Sequence, residues 1–225
     1  GDCWALVNAS PDISSQLQAN PDLQPGRAIR DSAIAAIILV DGQVDHTTGL
    51  YMLREAVRPW PLWCSDSTFA DLTGGNPVLG VLSHFCGVDR RRIALDDAGF
   101  RVDGVPGVRW QALPVAGKPA PYSPNRDSPV PGDNLALVIE DRASGRTAVY
   151  APGLSAIDDR VWRAMQAAAC VLVDGTFWTE DEMIRLRVSS KRARDIGHLA
   201  QSGPGGMLEW LDRLPRGKRR ILIHI

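Results

Sequence analysis

The chain has 225 residues, 44% of them hydrophobic and 23% charged, a composition that excludes an intrinsically disordered protein. Lys and Arg number 25 against 26 for Asp and Glu, and a net charge of -1 offers no excess positive field to a nucleic-acid backbone. No apolar run is long enough to span a bilayer, and no basic-then-apolar segment opens the sequence. We therefore expect a protein of the cytoplasm with neither a membrane segment nor a nucleic-acid partner.

The first half of the sequence alternates predicted strands with short helical segments. Strands are predicted at 3–8, 34–40 and 61–65, and helices at 13–19, from Thr47 or Thr48 to Arg58, at 67–72 and at 78–85. A charged segment at 89–93 leads into a β-rich middle with strands at 100–102 and 109–115. Prolines are too frequent between 116 and 133 for regular structure, and a loop of that length predicts a lid or wall beside a pocket.

The second half repeats the same alternation. Strands are predicted at 135–140, 146–151, 170–174 and 220–225, and helices at 158–168 and 207–214. Two β-rich halves with helices outside them predict a single domain over 1–225, an α/β fold built as a four-layer αββα sandwich.

The most informative segment is Asp41-Gly-Gln-Val-Asp-His46, which directly follows the apolar run 34–40. A buried strand that ends in two carboxylates, an amide and an imidazole directs metal-binding groups at one point. Three of the four histidines, His46, His198 and His224, lie in or after features that can face a common crevice. His84 lies within an apolar helical pattern and is the least suggestive of the four.

This segment resembles the metallo-β-lactamase superfamily, whose loop has the pattern His-x-His-x-Asp-His after an apolar strand. Asp41 and Gln43 stand where the two histidines of the first metal would be, whereas Asp45 and His46 match the pair that serves the second metal. His224, at a late strand end, matches the final ligand. The early Asp corresponds to Asn8, and 150–154 contains no bridging carboxylate, so the two-metal site of the hydrolases is incomplete.

A sharper resemblance covers nearly the whole chain. The sequence is similar to the pyrroloquinoline quinone (PQQ) biosynthesis protein B family in seven motifs that occur in order: Asn8-Ala-Ser-Pro-Asp12, Asp45-His-Thr-Thr-Gly-Leu50, Tyr122-Ser-Pro, Pro131-Gly-Asp-Asn134, Tyr150-Ala-Pro-Gly-Leu154, Leu172-Val-Asp-Gly-Thr176 and Gly197-His-Leu-Ala-Gln-x-Gly-Pro-Gly-Gly-Met207. That family is longer at both ends. We therefore expect the N-terminal structural zinc segment and the C-terminal end to be missing here, and the ligands of the structural zinc are not in this sequence.

The resemblance implies a metal-dependent enzyme of PQQ synthesis. Asp45, His46 and His224 would supply one carboxylate and two imidazoles, the ligand set of non-haem Fe(II) oxygenases, which also suits catalytic zinc. The expected reaction is hydroxylation of a tyrosine-derived, Glu-Tyr precursor. Two alternatives remain open: a carrier that binds PQQ or its precursor and helps its transport to the periplasm, and a zinc hydrolase. A homodimer and a monomer are both compatible with the sequence.

Asp174 and His198 form a second pair, similar to the Glu and His that relay a proton in the superfamily's RNA-processing branch, and we predict that they act as acid and base or orient the metal ligands. A pocket or ligand-supporting position is expected for five residues: Asn8, Asp12, Asp41, Gln43 and His84. Asp41 can also be a direct ligand.

Structural roles compete with each of these interpretations. Asp45 and His46 can cap a helix, His224 can be a core histidine, and His198 and Asp174 can make loop or capping hydrogen bonds. Gly203-Pro-Gly-Gly206 favours a backbone turn over a phosphate cradle because no P-loop lysine follows it. The basic stretches 191–194 and 216–220 can attract an anionic ligand such as the quinone, or form a solvated face.

Overall fold

The computed structural model describes residues 3–26, 28 and 31–224, and the strands in this part of the chain form two sheets. The first sheet contains Trp4–Val7 (β1), Ile34–Ile38 (β2), Trp60–Cys64 (β3) and Val88–Arg92 (β4), in that order and all parallel. The second contains Val108–Pro114 (β5), Leu135–Asp141 (β6), Thr147–Ala151 (β7), Cys170–Asp174 (β8) and Arg219–Ile223 (β9), also in chain order. Within it, β5, β6 and β7 pair antiparallel, whereas β7, β8 and β9 pair parallel.

Short helices connect the strands. They are Ile13–Ala19 (α1), Val44–Thr47 (α2), Asp66–Thr73 (α3), Val78–Leu82 (α4), Asp159–Ala167 (α5), Glu182–Arg185 (α6) and Met207–Asp212 (α7). Ser65 and Asp158 cap α3 and α5 through side-chain oxygens that accept from the backbone N–H groups of Thr68 and Val161, at 3.0 and 2.8 Å. In the described part of the chain no helix is long and apolar enough to cross a bilayer.

Side chains that alternate along the strands divide the core into three layers. On β6, Leu135 and Leu137 point into the cluster between the two sheets, whereas Ala136 packs into the cluster beneath α5 and α7. On β2, Ile38 joins the inter-sheet cluster and Ile37 joins a third cluster that includes residues of α1, α3 and α4. Three apolar layers between four layers of structure confirm the predicted αββα sandwich.

One predicted helix is wrong. The helix expected from Thr47 or Thr48 to Arg58 is instead the single turn of α2 followed by a 3-10 helix at Thr48–Leu53. The Thr47 and Thr48 hydroxyls donate to the carbonyls four residues earlier, at 2.8 and 2.7 Å, which weakens the helical turn. A Cβ at Gly49 would stand 2.3 Å from the carbonyl oxygen of Ser10, so this segment is shaped by its contact with the loop after β1.

The two sheets are joined at the end of β2. Asp41 forms an isolated antiparallel bridge with Asn134, and the Leu135 N–H donates to the Val40 carbonyl at 2.9 Å. The acidic loop that leaves β2 is therefore connected directly to the start of β6. This junction brings residues of both halves of the chain to one edge of the sandwich.

Candidate functional site

Asp41 fixes the orientation of the His46 ring. Its carboxylate oxygen Oδ1 lies 2.7 Å from His46 Nδ1 and also accepts the backbone N–H of Gln43 at 2.9 Å. A carboxylate can only accept, so Nδ1 carries a proton, and in the neutral ring Nε2 keeps its lone pair for another partner. Both side chains are buried, and this is the arrangement in which a histidine commonly binds a metal.

The charges around His46 favour its protonated form when no metal is bound. Burial alone would lower the pKa of the imidazole, but the carboxylates of Asp41, Asp45 and Asp174 together raise it above its ordinary value. A positive charge at this position is therefore stabilised by the surrounding anions. A bound cation would be stabilised in the same way.

A second Asp–His pair is supplied by the other sheet. Asp174, the last residue of β8, is completely buried, and its Oδ2 lies 2.6 Å from Nδ1 of His198. Its Oδ1 accepts from the backbone N–H and the hydroxyl of Thr176, at 3.0 and 2.6 Å. Phe177 packs edge-on against the imidazole with ring centroids 5.4 Å apart. Both oxygens of the Asp174 carboxylate are thus engaged in hydrogen bonds, and Nε2 of His198 remains available for another partner.

The histidines of both pairs line the same cleft, which has a volume of about 370 Å³. Asp41, Gln43, Asp45 and His46 line one part of it, and Thr176 and His198 line another. The Asp45 side chain is exposed, in contrast to its buried neighbour His46. The structure therefore brings the acidic loop and the Asp174–His198 pair to one cleft.

The proline-rich loop 116–133 forms a wall of this cleft. Gln43 Nε2 donates to the carbonyl of Lys118 at 3.0 Å, and the Tyr122 hydroxyl donates to the carbonyl of Gly42. Lys118, Pro121 and Arg126 line the cleft. Tyr122, Lys118, Arg126 and Thr176 were not among the predicted site residues. The available signal was the proline-rich loop itself, which the sequence placed beside a pocket without indicating which of its side chains face inward.

Three other predicted residues line a second hollow, of about 430 Å³. They are Asn8, Asp12 and His224. The Asn8 backbone has a φ of 58°, in the left-handed region, and its side chain accepts from the Val40 N–H and donates to the Tyr150 hydroxyl, both at 3.2 Å. Asn8 therefore connects the end of β1 to the chain between β2 and the acidic loop.

His224 and His84 lie outside the cleft. His224 follows β9, whose last residue Ile223 is paired with Asp174, and its side chain is exposed in the second hollow. His84 is exposed on the turn after α4. The basic stretch that begins at Lys191 contributes that lysine to the lining of the cleft.

The donors suit a metal ion chemically, although they are not assembled around one point. Within the described residues, no group of three or more His, Cys, Asp and Glu side chains is arranged to hold a metal. Asp45 and His46 nevertheless offer an exposed carboxylate and an imidazole whose Nδ1 is anchored, and both face one cleft. Oxygen and nitrogen donors of this kind fit Fe(II) and Zn²⁺ alike.

Comparison with known proteins assigns the chain to a family. A model of the Beta-lactamase superfamily domain matches residues 3–225. Coenzyme PQQ synthesis protein B from Azoarcus sp. (strain BH72) is 60% identical over 222 residues, which are 99% of this chain and 73% of that protein. The chain belongs to the coenzyme PQQ synthesis protein B family. The resemblance inferred from the seven motifs is thereby confirmed.

Solved structures agree with this assignment to the coenzyme PQQ synthesis protein B family. The Zn²⁺-bound PqqB from Methylobacterium extorquens superposes with a TM-score of 0.83 at 31% identity, over 98% of this chain and 72% of that one. Human tRNase Z, short form, superposes with a TM-score of 0.60 at 16% identity, over 99% of this chain and 86% of that one. The second likeness concerns the fold alone.

Proposed function

We propose that the chain is a metal-dependent enzyme of PQQ synthesis that hydroxylates a tyrosine-derived precursor of the Glu-Tyr type. The observation that supports this most directly is the presence of two Asp–His pairs in one cleft, Asp41–His46 and Asp174–His198. One pair suits metal binding and the other suits proton transfer. Membership of a family named for coenzyme PQQ synthesis supplies the pathway.

Asp45, His46 and His224 are the proposed metal ligands. Asp41 holds Nδ1 of the His46 ring and leaves Nε2 for the metal, and His224, which lies outside the cleft after β9, would be the third ligand on its movement towards the end of β8. The Zn²⁺-bound PqqB from M. extorquens supports metal binding in the family, and our proposal for the working metal is Fe(II). When bound, that ion would supply the activation of dioxygen.

His198 is the proposed acceptor of the substrate's phenol proton. Its Nδ1–H is held by the buried Asp174 carboxylate, so Nε2 is the acceptor, and the same carboxylate stabilises the imidazolium that forms. Thr176 fixes Asp174 and thereby the plane of the ring. Gly197, with a φ of 100°, places the histidine at the wall of the cleft.

The reaction requires a reductant from solution. Hydroxylation puts one atom of dioxygen on the ring and releases the other as water, so two electrons and two protons must be supplied. We propose an external two-electron reductant, for which ascorbate is a suitable probe.

The decisive experiment uses the metal-free chain loaded anaerobically with Fe(II) or, separately, with Zn(II). Glu-Tyr dipeptide and ascorbate are added, oxygen is admitted, and the products are analysed by mass spectrometry. We expect a mass increase of one oxygen atom with Fe(II) only, and loss of that product in His224→Ala. An oxygen-independent cleavage with Zn(II) would instead identify a hydrolase.

A carrier of PQQ or its precursor is the second candidate. The three cations that line the cleft, Lys118, Arg126 and Lys191, favour it, because they suit an anionic ligand whether or not that ligand reacts. A carrier predicts tight binding of PQQ without any oxygenated product with either metal.

A further inference from the structure

The cleft contains positive side chains that no step of the proposed reaction uses. Lys118 and Arg126 come from the loop 116–133, and Lys191 comes from the segment before His198. The acidic residues of the cleft, Asp41 and Asp45, come from the loop after β2. Opposite charges are thus supplied to one cleft by different segments.

Lys118 is held in place from two directions. Its carbonyl accepts from Gln43 Nε2 at 3.0 Å, and a Cβ built on Gly197 would stand 2.7 Å from its backbone nitrogen. These contacts lock the Lys118 backbone between the acidic loop and the loop that carries His198. The Lys118 backbone is therefore held where the acidic loop meets the loop of His198, and the residue lines the cleft.

Arg126 is positioned by its own loop. One guanidinium nitrogen donates to the carbonyl of Pro119, and the residue is half-buried at the cleft. That bond occupies one of the five N–H donors of a guanidinium, and the planar fork suits two-pronged contact with a carboxylate. An Arg is thus available where a ligand would enter.

Two carboxylates line the cleft beside these three cations. Asp41 is committed to His46 at 2.7 Å, and Asp45 is a proposed metal ligand. The Lys118 ammonium group lies 3.9 Å from a carboxylate oxygen of Asp127, whose side chain is 99% exposed. Such a pair is weak, and a better-placed anion can replace Asp127. The cleft therefore retains positive charge for a ligand.

We propose that Lys118, Arg126 and Lys191 form a carboxylate-recognition site, so that the cleft selects small molecules with two or more carboxylates. This inference rests on the proposed function only in taking the tyrosine ring as the reacting group. A carrier would use the same three cations to bind its ligand. Two sources share this chemistry, the dipeptide precursor and the finished quinone. The ammonium groups contribute charge, and the guanidinium contributes geometry.

Calorimetric titration of the metal-free chain tests the site without using turnover. The probes are Glu-Tyr, its C-terminal amide, Gln-Tyr and Gln-Tyr amide, which remove the two carboxylates singly and together. We expect each removal to weaken binding about tenfold, the scale of one hydrogen bond to a charged group. Binding of Glu-Tyr should also weaken as ionic strength rises.

The variants Lys118→Met, Arg126→Met and Lys191→Met complete the test. Each should lower the affinity for Glu-Tyr about tenfold and leave that for Gln-Tyr amide unchanged. Arg142→Met is the matched control, because Arg142 also donates to a proline carbonyl, that of Pro106, but does not line the cleft. Lys218→Met is the control for Lys118→Met, because the Lys218 ammonium group donates to the Ala168 carbonyl. Lys191 is exposed, so its variant remains informative if another fails to fold.

The outcomes separate this inference from the proposed function. Equal affinity for Glu-Tyr and Gln-Tyr amide, or an equal effect of Arg142→Met and Arg126→Met, would overturn the carboxylate site even if Glu-Tyr is hydroxylated. If Glu-Tyr gives no oxygenated product while PQQ binds and loses affinity in the Lys118 and Arg126 variants, the site stands and the hydroxylase is lost. Failure of both Glu-Tyr and PQQ to bind would also overturn the site.

Discussion

The Asp41 carboxylate determines which nitrogen of His46 is available to a ligand. In the superfamily pattern a histidine occupies this position. Here it is Asp41, whose carboxylate binds Nδ1 of His46. The same arrangement recurs at Asp174 and His198, where the carboxylate is at the end of a strand of the other sheet. Two rings are thus oriented by buried acids, and only the His46 ring has an exposed carboxylate, that of Asp45, directly before it in the chain.

Replacement of Asp41 by Asn should weaken metal binding and move its pH dependence. We expect the affinity for Zn²⁺ at about pH 8 to fall about tenfold to hundredfold, because the ring loses its charged support. The pKa of His46 is raised above 6.5 despite burial, chiefly by Asp41, and protons must leave before a metal binds. Wild-type affinity should therefore decline as the pH falls through the raised pKa of His46, and the decline in Asp41→Asn should begin at lower pH.

Zinc titration of the metal-free chain between about pH 6 and about pH 8 measures both effects. Asp103→Asn, an exposed carboxylate that does not line the cleft, is the control. Unchanged affinity in Asp41→Asn would show that the carboxylate does not orient a ligand.

Asp71 on α3 is a buried acid whose Oδ1 has no hydrogen-bond partner within the described residues. Burial raises the pKa of its carboxyl above 3.8, a hydrogen bond with Ser123 lowers it in part, and the charges of Asp133 and Asp41 raise it further. The folded state then binds more protons than the unfolded one between pH 3.8 and the folded pKa. Stability is consequently lost as the pH rises through that window.

We expect Asp71→Asn to raise the free energy of unfolding at about pH 7 by about 1 kcal/mol, since it removes an incompletely paired buried charge. The gain should disappear below pH 3.8, where Asp71 is protonated in both states. Urea unfolding at the two pH values measures it, with the exposed Asp103→Asn as control. Destabilisation at neutral pH would mean that the carboxylate is ionised and fully paired.

At the scale of elements, most strands followed from sequence pattern, whereas β4 and the irregular segments did not, and the strand predicted at 100–102 is only an isolated bridge between Phe100 and Trp110. The prediction at 170–174 coincides with β8, and the helix prediction at 13–19 with α1, because apolar spacing determines both. The segment 89–93 was read only as charged, yet most of it is β4. This strand lies at the edge of its sheet, where arginines remain in solvent, and Arg90 and Arg92 pair with Asp66.

In the candidate site, the residues at strand ends were predictable from the sequence, and those placed by contacts between loops were not. Asp41, Gln43, Asp45 and His46 follow one strand, so their proximity is local, and Asp174 is predictable as another strand end. Lys118 reaches the cleft only because Gly197 and Gln43 hold its backbone, a contact between segments far apart in the chain. Local patterns contain no signal for that contact.

Gly197 allows the close approach of the loop containing Lys118 to the loop containing His198. Its φ is 100°, and a Cβ would stand 2.7 Å from the backbone nitrogen of Lys118. We expect Gly197→Ala to cost both the left-handed strain, about 1 kcal/mol, and a displacement of the loop, for a total of about 2–4 kcal/mol. It should also weaken Glu-Tyr binding, because Lys118 and His198 move apart.

The variant Gly203→Ala separates the cost of left-handed strain from the cost of displacing the loop. Gly203 has a φ of 88°, but a Cβ there would meet nothing within 4 Å, so this variant should show the strain alone. Urea unfolding and calorimetric binding of Glu-Tyr measure the comparison. Equal loss in both variants would show that the contact between the loops contributes nothing.

At the scale of the whole molecule, the cleft depends on the association of the two sheets. Asp41 is the continuation of a strand in the first sheet, Asp174 ends a strand in the second, and the bridge from Asp41 to Asn134 connects them. The inter-sheet apolar cluster, which includes Ile38 and Leu137, holds the sheets face to face. Stability and site geometry therefore depend on the same layer.

Leu137→Ala tests this dependence. Leu137 is fully buried between the sheets, so the variant should lose about 2–5 kcal/mol of unfolding free energy, the cost of removing the side chain and leaving a cavity. Because this layer joins both halves, we expect a single transition, with tryptophan fluorescence and far-ultraviolet circular dichroism changing together. Leu186→Ala, at a side chain 65% exposed, should change stability by less than about 0.5 kcal/mol. Two separate transitions in Leu137→Ala would mean that each sheet with its helices folds alone, and the cleft would then be lost when the first half unfolds.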